Sequence, residues 1–379
     1  MSMNRRQFGA IAAAFGLAGC SGVSTTSGPV PSGLADDLRP ARNAGYDSWV
    51  ASFRERAVSQ GFSRDLLSAA FRGTGYLPGV VKRDRNQTEF KRTLEDYLSI
   101  AVSDERVSKG RAAYARHRST LAAIERKYGV EAHVVTAIWG LESFFGERRG
   151  NVPVISATST LAYDGRRGQL FEKQLIAALK ILEGGHVAPR DLTGSWAGAM
   201  GHTQFIPTSY LSFAVDFTGD GRMDIWSDDP SDSLASTAAY LSRNGWQTGL
   251  AWGGEAGANA PAGTVIQPQA GGPKFSTTAN FRALKRYNNS DAYAIGVGHL
   301  SDRIAGRGPL RGSFPPDKYG LTKDDRIALQ RGLTSSGFGT GGADGVIGPK
   351  TREAISAYQQ RQGLPVTGEP SLELLRRLG

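Results

Sequence analysis

Apolar side chains recur at helical spacing through most of the chain. The clearest runs are Tyr46 to Phe53 and Leu94 to Leu98, where apolar residues return every three or four positions. A similar run from Thr120 reaches Gly129, and glycine commonly ends a helix. Further helices are predicted over 131–145, 169–183, 231–243 and 290–305. The pattern therefore predicts a mainly α-helical protein.

Three stretches interrupt this pattern. Residues 21–43 are rich in Ser, Thr, Gly and Pro, which is typical of a flexible tether. Residues 252–280 lack a helical period and predict loops or a small β excursion, and 308–320 is a second Gly- and Pro-rich linker. The predicted organisation is a signal segment at 1–19, a tether at 20–43, a helical domain at 44–307, a linker at 308–320 and a small domain at 321–379.

The first twenty residues have the composition of a bacterial export signal. Arg5 and Arg6 precede a short apolar stretch that is too short to span a membrane, and the pair resembles a twin-arginine motif. The stretch ends at Leu17 to Cys20, which resembles a lipobox. This resemblance implies cleavage after residue 19, acylation of Cys20 and anchoring in outer-membrane lipid on the periplasmic side.

Charge and cysteine content narrow the choice of partners. Lys and Arg number 45 against 35 Asp and Glu, so the net charge of +10 favours an anionic partner. The basic residues are dispersed, and neither a zinc-finger spacing nor an aromatic-basic stripe is present, which argues against nucleic acid. Cys20 is the single cysteine, so an internal disulfide is excluded. Protein partners cannot be identified from the sequence.

The strongest candidate for chemistry is Glu142, near the end of a strongly apolar predicted helix. Ile138, Leu141 and the two phenylalanines that follow surround the carboxyl, and such surroundings raise the pKa of an acid. A raised pKa suits a general acid that cleaves glycosidic bonds. Gly140 and Gly146 predict close approach of a bulky ligand. The alternative is that Glu142 is an ordinary position on an amphipathic helix.

Four ordered motifs resemble one family of cell-wall enzymes. The run Glu142-Ser143-x-Phe145-Gly146 resembles the catalytic motif of lysozyme-like lytic transglycosylases. The blocks that resemble the membrane-bound lytic murein transglycosylase B family are Leu161 to Arg167, Gly194 to Tyr210 and Arg286 to Tyr293. The resemblance implies a lysozyme-like domain that cleaves the β-1,4 bond between N-acetylmuramic acid and N-acetylglucosamine in peptidoglycan glycan strands. The implied products end in 1,6-anhydromuramic acid, and the implied role is cell-wall remodelling and turnover.

The resemblance also implies roles for individual residues. Glu142 becomes the single acid and base, and the chemistry requires no cofactor. The positions that match the sugar groove or the support of the acid are Ser195, Gln204, Tyr287, Asn288 and Tyr293. Small residues at 197–201 predict close ligand approach, whereas helix-cap, loop and core roles are the alternatives for single members of the set. The five histidines show no metal-ligand spacing and are expected to be solvated or in the core.

The number of carboxylates separates the possible reactions. Hydrolytic glycosidases usually use two, and the nearest candidates in sequence are Glu147 and Asp164. Both lie beside arginines, which favours structural ion pairs. A one-carboxylate scheme works when the substrate's acetamido and C6 hydroxyl groups take part, as the resemblance implies. A hydrolytic muramidase and a non-enzymatic tether between outer membrane and peptidoglycan remain the alternatives.

An acidic loop resembles a calcium-binding EF-hand. Oxygen ligands stand at alternate positions from Asp216, with Gly221 at the sixth. Position 12 is Ser227, so the closing carboxylate has to come from the 228–232 segment. The candidate ligands are Asp216, Thr218, Asp220, Arg222 and Asp232. We expect a structural calcium here, and a metal-free Asp-Gly turn is the alternative.

The last 59 residues resemble a small helical peptidoglycan-binding domain. An Asp344-Gly345 turn leads to a helix with apolar residues at Ile355 and Tyr358, and Gly363 and Pro365 end that helix. The resemblance implies a three-helix unit over 321–379 that binds the cell wall. A generic stabilising three-helix module is the alternative.

Overall fold

The computed structural model describes residues 33–86 and 92–379. The export signal, Cys20 and the first part of the tether lie outside the described residues. Within the described ranges, none of the helices combines the length and the apolar character needed to cross a membrane.

The described part of the chain is mainly helical, as the hydrophobic pattern predicted. After a short 3₁₀ helix (Asp36–Leu38), the helices are α1 (Ala44–Ser59), α2 (Arg64–Ala70), α3 (Pro78–Arg85), α4 (Leu94–Ala101), α5 (Asp104–Arg116), α6 (Arg118–Tyr128), α7 (Ala132–Ser143), α8 (Val154–Asp164), α9 (Gly168–Glu183), α10 (Pro207–Phe213), α11 (Ser231–Arg243), α12 (Ala279–Tyr287), α13 (Asp291–Ile304), α14 (Lys323–Ser335), α15 (Pro349–Arg361) and α16 (Leu372–Leu378). Helix α6 ends at Gly129, whose φ of 68° lies in the left-handed region. The helix predicted over 131–145 ends two residues earlier, at Ser143.

Helix α7 lies at the centre of the larger domain. It is buried on nearly all sides because it packs against α5, α6, α11 and α13. Its sequence is apolar around the whole circumference, which is typical of a central helix. Helices α8 and α9 pack closely against each other. The predicted mainly α fold is confirmed, and it places Glu142 inside the domain rather than on a surface helix.

Two small antiparallel sheets complete the larger domain. β1 (Val152–Pro153) pairs with β2 (Thr193–Gly194). The strands β3 (Gly253–Glu255), β4 (Thr264–Ile266) and β5 (Phe275–Thr277) form a second sheet in the order β3-β5-β4. The small β excursion expected within 252–280 is therefore present. Trp252, at its edge, packs against Gly298 of α13 and joins the sheet to the core.

The terminal unit has its own core. Helices α14, α15 and α16 enclose the buried side chains of Leu329, Leu333, Ala354, Ile355, Tyr358 and Leu374. A capping box at Thr322 and Asp325 begins α14, and each side chain accepts a backbone N–H from the other. The predicted three-helix unit is confirmed.

A buried ion-pair cluster joins the terminal unit to the larger domain. The side chain of Arg326 on α14 is only 3% exposed and donates to Glu95 at the start of α4 at 2.5 Å. The same guanidinium reaches Asp317 at 3.4 Å and Asp96 at 3.6 Å. Because a buried charge is costly without partners, this cluster fixes the orientation of the terminal unit.

The 308–320 segment has no regular secondary structure, but it lies against the second sheet. Glu255 of β3 accepts the backbone N–H groups of Arg311 and Gly312 at 2.7 and 2.5 Å. The ring of Phe314 packs closely on Gly272. The segment predicted to be a linker is therefore held to the domain that precedes it.

Candidate active site

Glu142 stands in the last turn of α7, where the backbone turns sharply. Phe144 and Phe145 adopt left-handed φ values of 53° and 60°, which cannot continue a right-handed helix. Ser143 secures the turn because its hydroxyl accepts the N–H of Gly146 at 2.9 Å and donates to the carbonyl of His202 at 2.5 Å. Glu142 itself is 4% exposed. The turn therefore holds a buried carboxyl at a fixed position.

Tyr293 of α13 holds the carboxyl of Glu142 directly. The Tyr293 hydroxyl donates to Oε1 of Glu142 at 2.6 Å, a short hydrogen bond typical of an O–H to a carboxyl. Burial, and then the negative charge of Glu142, raises the pKa of Tyr293 well above 10. The phenol therefore stays protonated and serves as a permanent donor.

Tyr287 lies next to Tyr293 and links it to the 194–210 block. The two rings stack at 6.5 Å with an interplanar angle of 5°. The Tyr287 hydroxyl donates to the carbonyl of Thr203 at 2.6 Å. Burial, and then the charge of Glu142, also raises the pKa of Tyr287 well above 10. The two tyrosines thus form one wall beside the acid.

Gln204 joins the same block to the end of α7. It is buried, with a strained left-handed φ of 54°. Its side-chain amide donates to the carbonyls of Arg149 at 3.0 Å and Gly201 at 2.9 Å. The bond to Arg149 thus holds the segment that follows α7 against the 194–210 block.

The two remaining groove candidates differ in their hydrogen bonding. The Ser195 hydroxyl accepts the N–H of Ala199 at 3.1 Å within a turn that no helix follows, so Ser195 is not an N-cap, and its place in the sugar groove stays a prediction. Asn288 is buried at the end of α12, and its Oδ1 has no hydrogen-bond partner among the described residues. A buried acceptor without a partner is costly and is commonly satisfied by a ligand or water.

The glycines near the acid make room for protein rather than for a ligand. A Cβ on Gly140 would lie 2.5 Å from the ring of Phe145, and one on Gly146 would lie 2.6 Å from the imidazole of His202. In the 197–201 segment, a Cβ on Gly201 would meet the carbonyl of Ile225 at 2.2 Å. The expectation that these glycines admit a ligand was wrong, because neighbouring side chains and backbone already fill the space.

His202 is a structural residue that the sequence did not single out. The indole N–H of Trp139 donates to its Nδ1 at 3.1 Å, and its Nε2 lies 2.8 Å from the carbonyl of Ser227. A neutral imidazole with its proton on Nε2 satisfies both contacts. No sequence signal could reveal this, because 63 residues separate His202 from Trp139.

The stability of the protein should depend on the protonation of His202. Burial lowers its pKa to about 4, whereas an unfolded histidine has a pKa near 6.5. Between these values the unfolded chain binds more protons, so stability falls as the pH is lowered from 6.5 to 4. We expect this residue to contribute about 3 kcal/mol to the loss. His299, whose pKa burial also lowers to about 4, acts in the same window.

The measurement is urea unfolding as a function of pH. His202→Gln should remove about half of the pH dependence that the two histidines cause together, and His299→Gln should remove a similar share. An unchanged slope in both variants would contradict the assignment.

The other carboxylates near this motif are engaged elsewhere. Glu147 is 53% exposed and binds Lys109 at 2.8 Å, and Asp164 binds Arg85 at 2.7 Å. Both therefore form ion pairs, but not with the adjacent arginines that the sequence suggested. Arg166 and Arg167 bind the buried Asp84 instead. Glu147 thus differs from Glu142 in its exposure, and Asp164, whose side chain is 8% exposed, differs in that Arg85 balances its charge.

Three carboxylates of the acidic loop converge. Ligand oxygens of Asp216, Asp220 and Asp232 lie within 4.8 Å of one another. Of the 228–232 segment, Asp232 is therefore the residue that lies beside Asp216 and Asp220, whereas Asp228 pairs with Arg149 at 2.7 Å. The carboxylates also accept loop N–H groups; Asp232, for example, accepts that of Phe217 at 2.9 Å. Thr218 donates to Asp216 at 3.4 Å, and the Arg222 backbone N–H donates to Asp220 at 2.8 Å. Three clustered carboxylates fit a hard cation such as calcium.

Comparison with known proteins identifies both domains. The family model for the transglycosylase SLT domain matches residues 45–266 and 254–302. The model for the putative peptidoglycan binding domain matches residues 322–378. Membrane-bound lytic murein transglycosylase B of Escherichia coli K12 is 29% identical over 242 residues, which is 55% of this chain and 66% of that protein.

Solved structures give the same result. SltB3 from Pseudomonas aeruginosa, in complex with NAG-anhNAM-pentapeptide, has a TM-score of 0.69 and 41% identity, and the match covers 89% of this chain and 100% of that one. The Escherichia coli lytic transglycosylase Slt35, in complex with calcium, has a TM-score of 0.58 and 25% identity over 72% of this chain and 98% of that one. The chain therefore belongs to the family of lytic transglycosylases with a transglycosylase SLT domain, and it carries a C-terminal domain of the peptidoglycan-binding family.

Proposed function

We propose that this lytic transglycosylase acts on peptidoglycan and cleaves the β-1,4 bond between N-acetylmuramic acid and N-acetylglucosamine. The observation that carries the proposal is the buried carboxyl of Glu142, held at 2.6 Å by the permanently protonated Tyr293. The Asn288 Oδ1 supports it, since this buried acceptor has no protein partner among the described residues. A sugar hydroxyl or acetamido N–H would satisfy it.

The proposed mechanism uses one carboxyl twice. Protonated Glu142 gives its proton to the bridging oxygen as the C1–O bond breaks. The acetamido oxygen of the muramic acid stabilises the positive charge that develops at C1. The Glu142 carboxylate then takes the proton of the C6 hydroxyl, whose oxygen attacks C1. The ring closes as a 1,6-anhydro sugar, no water is consumed, and Glu142 is protonated again for the next cycle.

Tyr293 acts between the two proton transfers of this cycle. Its O–H supports the carboxylate that exists between the two proton transfers, when Glu142 carries a negative charge. Tyr287, stacked behind it, keeps the wall rigid and apolar. Apolar surroundings make the charged form of a carboxyl less stable, which favours return of the proton to Glu142.

The alternatives have less support. A hydrolytic muramidase needs an activated water and commonly a second carboxylate, but Glu147 and Asp164 are bound in ion pairs. A non-enzymatic tether has no use for a buried acid with its own phenol donor.

The test is mass spectrometry of muropeptides released from purified sacculi. We expect products that are one water lighter than those of a muramidase and that resist borohydride reduction. Reducible ends as the main product would favour the hydrolytic alternative, and the absence of any soluble product would favour the tether. The proposed physiological role is remodelling and turnover of the cell wall.

We further propose that the acidic loop holds a structural calcium ion that takes no part in the chemistry. Asp216, Asp220 and Asp232 would supply carboxylate oxygens. Thr218, between the first two aspartates, and the backbone of Arg222, after Asp220, would complete the loop positions. Calcium should raise the melting temperature of the wild type, and Asp220→Asn should weaken that effect. An equal response in both proteins would exclude the site.

The proposed location is the periplasmic face of the outer membrane. The support is the lipobox-like Leu17 to Cys20 and the tether that follows it. The terminal domain would bind peptidoglycan while acylated Cys20 holds the lipid. Cys20→Ala should release the protein into the soluble periplasmic fraction, and its retention in membranes would place the anchor elsewhere.

A further inference from the structure

A cavity of about 420 Å³ lies between the edge strand β3, the end of α13 and the start of the 308–320 segment. This volume is in the range of sites that bind small molecules. Of the described residues that line it, none belongs to the candidate active site. Asp302, one of the lining residues, stands nine positions after Tyr293 on α13, which is about two and a half helical turns, so the two side chains leave opposite sides of the helix. The cavity is therefore distinct from the site around Glu142.

The imidazole of His299 lines this cavity without a hydrogen-bond partner. His299 is 8% exposed, and neither ring nitrogen bonds to any residue that the structure describes. Burial lowers its pKa to about 4, so at neutral pH the ring is uncharged and offers one N–H donor and one acceptor. A buried polar group of this kind is commonly satisfied by a ligand or by water. His299 is thus a binding group that the protein itself leaves unused.

Two carboxylates form the inner part of the cavity wall. The side chains of Asp302 and Glu255 are each 16% exposed. Asp302 accepts the indole N–H of Trp252 at 3.1 Å and pairs with Arg307 at 3.1 Å. Its pKa is nevertheless raised, because burial outweighs these contacts. A further positive charge beside Asp302 would therefore be stabilising.

Two arginines form the outer rim of the cavity. The side chains of Arg307 and Arg311 are 66% and 71% exposed. The Arg311 guanidinium lies 3.7 Å from Glu255, which is beyond hydrogen-bond distance, and the described residues offer it no closer acceptor. Its N–H donors are therefore available to a carboxylate from solution. The charge of the cavity wall thus changes from negative inside to positive at the mouth.

The lining narrows the class of ligand. Within the described ranges, only the acidic loop brings three potential metal ligands together, so a metal ion is not favoured in this cavity. The described lining contains no Trp, Tyr or Phe ring on which a sugar could stack. Its two carboxylates and two guanidinium groups balance in charge, which favours a ligand that carries both an ammonium and a carboxylate.

We propose that this cavity binds an amino-acid zwitterion, with its ammonium at His299 and Asp302 and its carboxylate on Arg311. His299 and Asp302 stand three positions apart on α13 and are therefore neighbours on one face. The ammonium supplies donors to the imidazole acceptor and to the buried carboxylate, and the guanidinium supplies donors to the ligand's carboxylate. The zwitterion can be a free amino acid or the diamino-acid side chain of a peptide stem. The inference does not depend on Glu142 or on the proposed reaction.

The experiment measures the binding of four probes to the full chain by isothermal titration calorimetry. D-Alanine carries both charges, D-alanine amide lacks the carboxylate, and N-acetyl-D-alanine lacks the ammonium. The fourth probe is an isolated peptide stem whose diamino acid ends in a free ammonium and carboxylate. The variants are Arg311→Gln and His299→Leu. The controls are Glu142→Gln and Arg190→Gln, whose exposed arginine does not line the cavity.

We expect the wild type to bind D-alanine about tenfold more tightly than either derivative, because each derivative loses a charge-assisted hydrogen bond. Arg311→Gln should lose the preference for D-alanine over its amide, and His299→Leu should weaken the binding of both. The two controls should bind like the wild type. Because Arg311 is exposed, its replacement keeps the test valid even if His299→Leu does not fold.

Tighter binding of the stem than of D-alanine would identify peptidoglycan as the source of the zwitterion, and the reverse would identify a free amino acid. Equal binding of the three small probes by the wild type, or binding of none of the four, would overturn the inference. Wild-type affinities in Arg311→Gln would overturn it as well. Unchanged binding by Glu142→Gln, which should not cleave glycan, keeps this result separate from the test of the proposed function.

Discussion

Glu142→Gln should lower the rate of glycan cleavage by roughly 10²–10⁴-fold, the usual worth of a general acid. The amide keeps the volume of the carboxyl, and its carbonyl oxygen can still accept the Tyr293 hydroxyl, but it has no proton to give. The fold should therefore survive. Turnover of soluble glycan oligomers, together with thermal unfolding, measures the two effects separately.

The matched control is Asp164→Asn, which alters a carboxylate that binds Arg85 and lies outside the site. It should retain activity within about a factor of ten, because the substitution keeps the shape of the side chain and leaves Glu142 and Tyr293 in place. A folded Glu142→Gln protein with near-normal turnover would remove Glu142 from its proposed role. A loss in Asp164→Asn as large as that in Glu142→Gln would point to a two-carboxylate mechanism.

Arg326→Ala should detach the terminal unit from the catalytic domain. The substitution leaves Glu95 without its buried partner, and breaking a buried ion pair in this way commonly costs about 3–5 kcal/mol. The unit keeps its own apolar core, so it should remain folded while its docking is lost. Calorimetry should then resolve a second transition, and protease should cut within 308–320 more readily.

Arg331→Ala is the control for this change, because Arg331 lies on the same helix and is exposed. It should leave calorimetry and proteolysis unchanged. A single, unshifted transition for Arg326→Ala would show that the surrounding contacts hold the unit without the ion-pair cluster.

The helical fold was predictable because its signals are local. Apolar spacing along α7 and α13, and Gly129 after α6, depend only on residues near one another in sequence. The end of α7 was missed by two residues because Phe144 and Phe145 adopt left-handed φ values that tertiary contacts impose. The local preferences of the sequence do not reveal backbone strain of this kind.

The contacts of the site could not be derived in the same way. The bond between Tyr293 and Glu142 joins residues 151 positions apart, and only the family resemblance suggested it. The pairing of Arg326 with Glu95, 231 positions apart, could not be predicted either, because the Gly- and Pro-rich 308–320 segment indicated a linker rather than a docked terminal unit. Gly146 was misread for a related reason, since its neighbour His202 comes from a distant segment.

Cleavage in water enriched in oxygen-18 tests the single-carboxylate account most directly. In the proposed reaction the C6 oxygen of the sugar forms the new bond to C1, so no solvent oxygen enters the product. Mass spectrometry should find anhydro-ended muropeptides without the heavy isotope. Reducing-end products that carry one oxygen-18 at C1 would show that water is the nucleophile and would contradict the account.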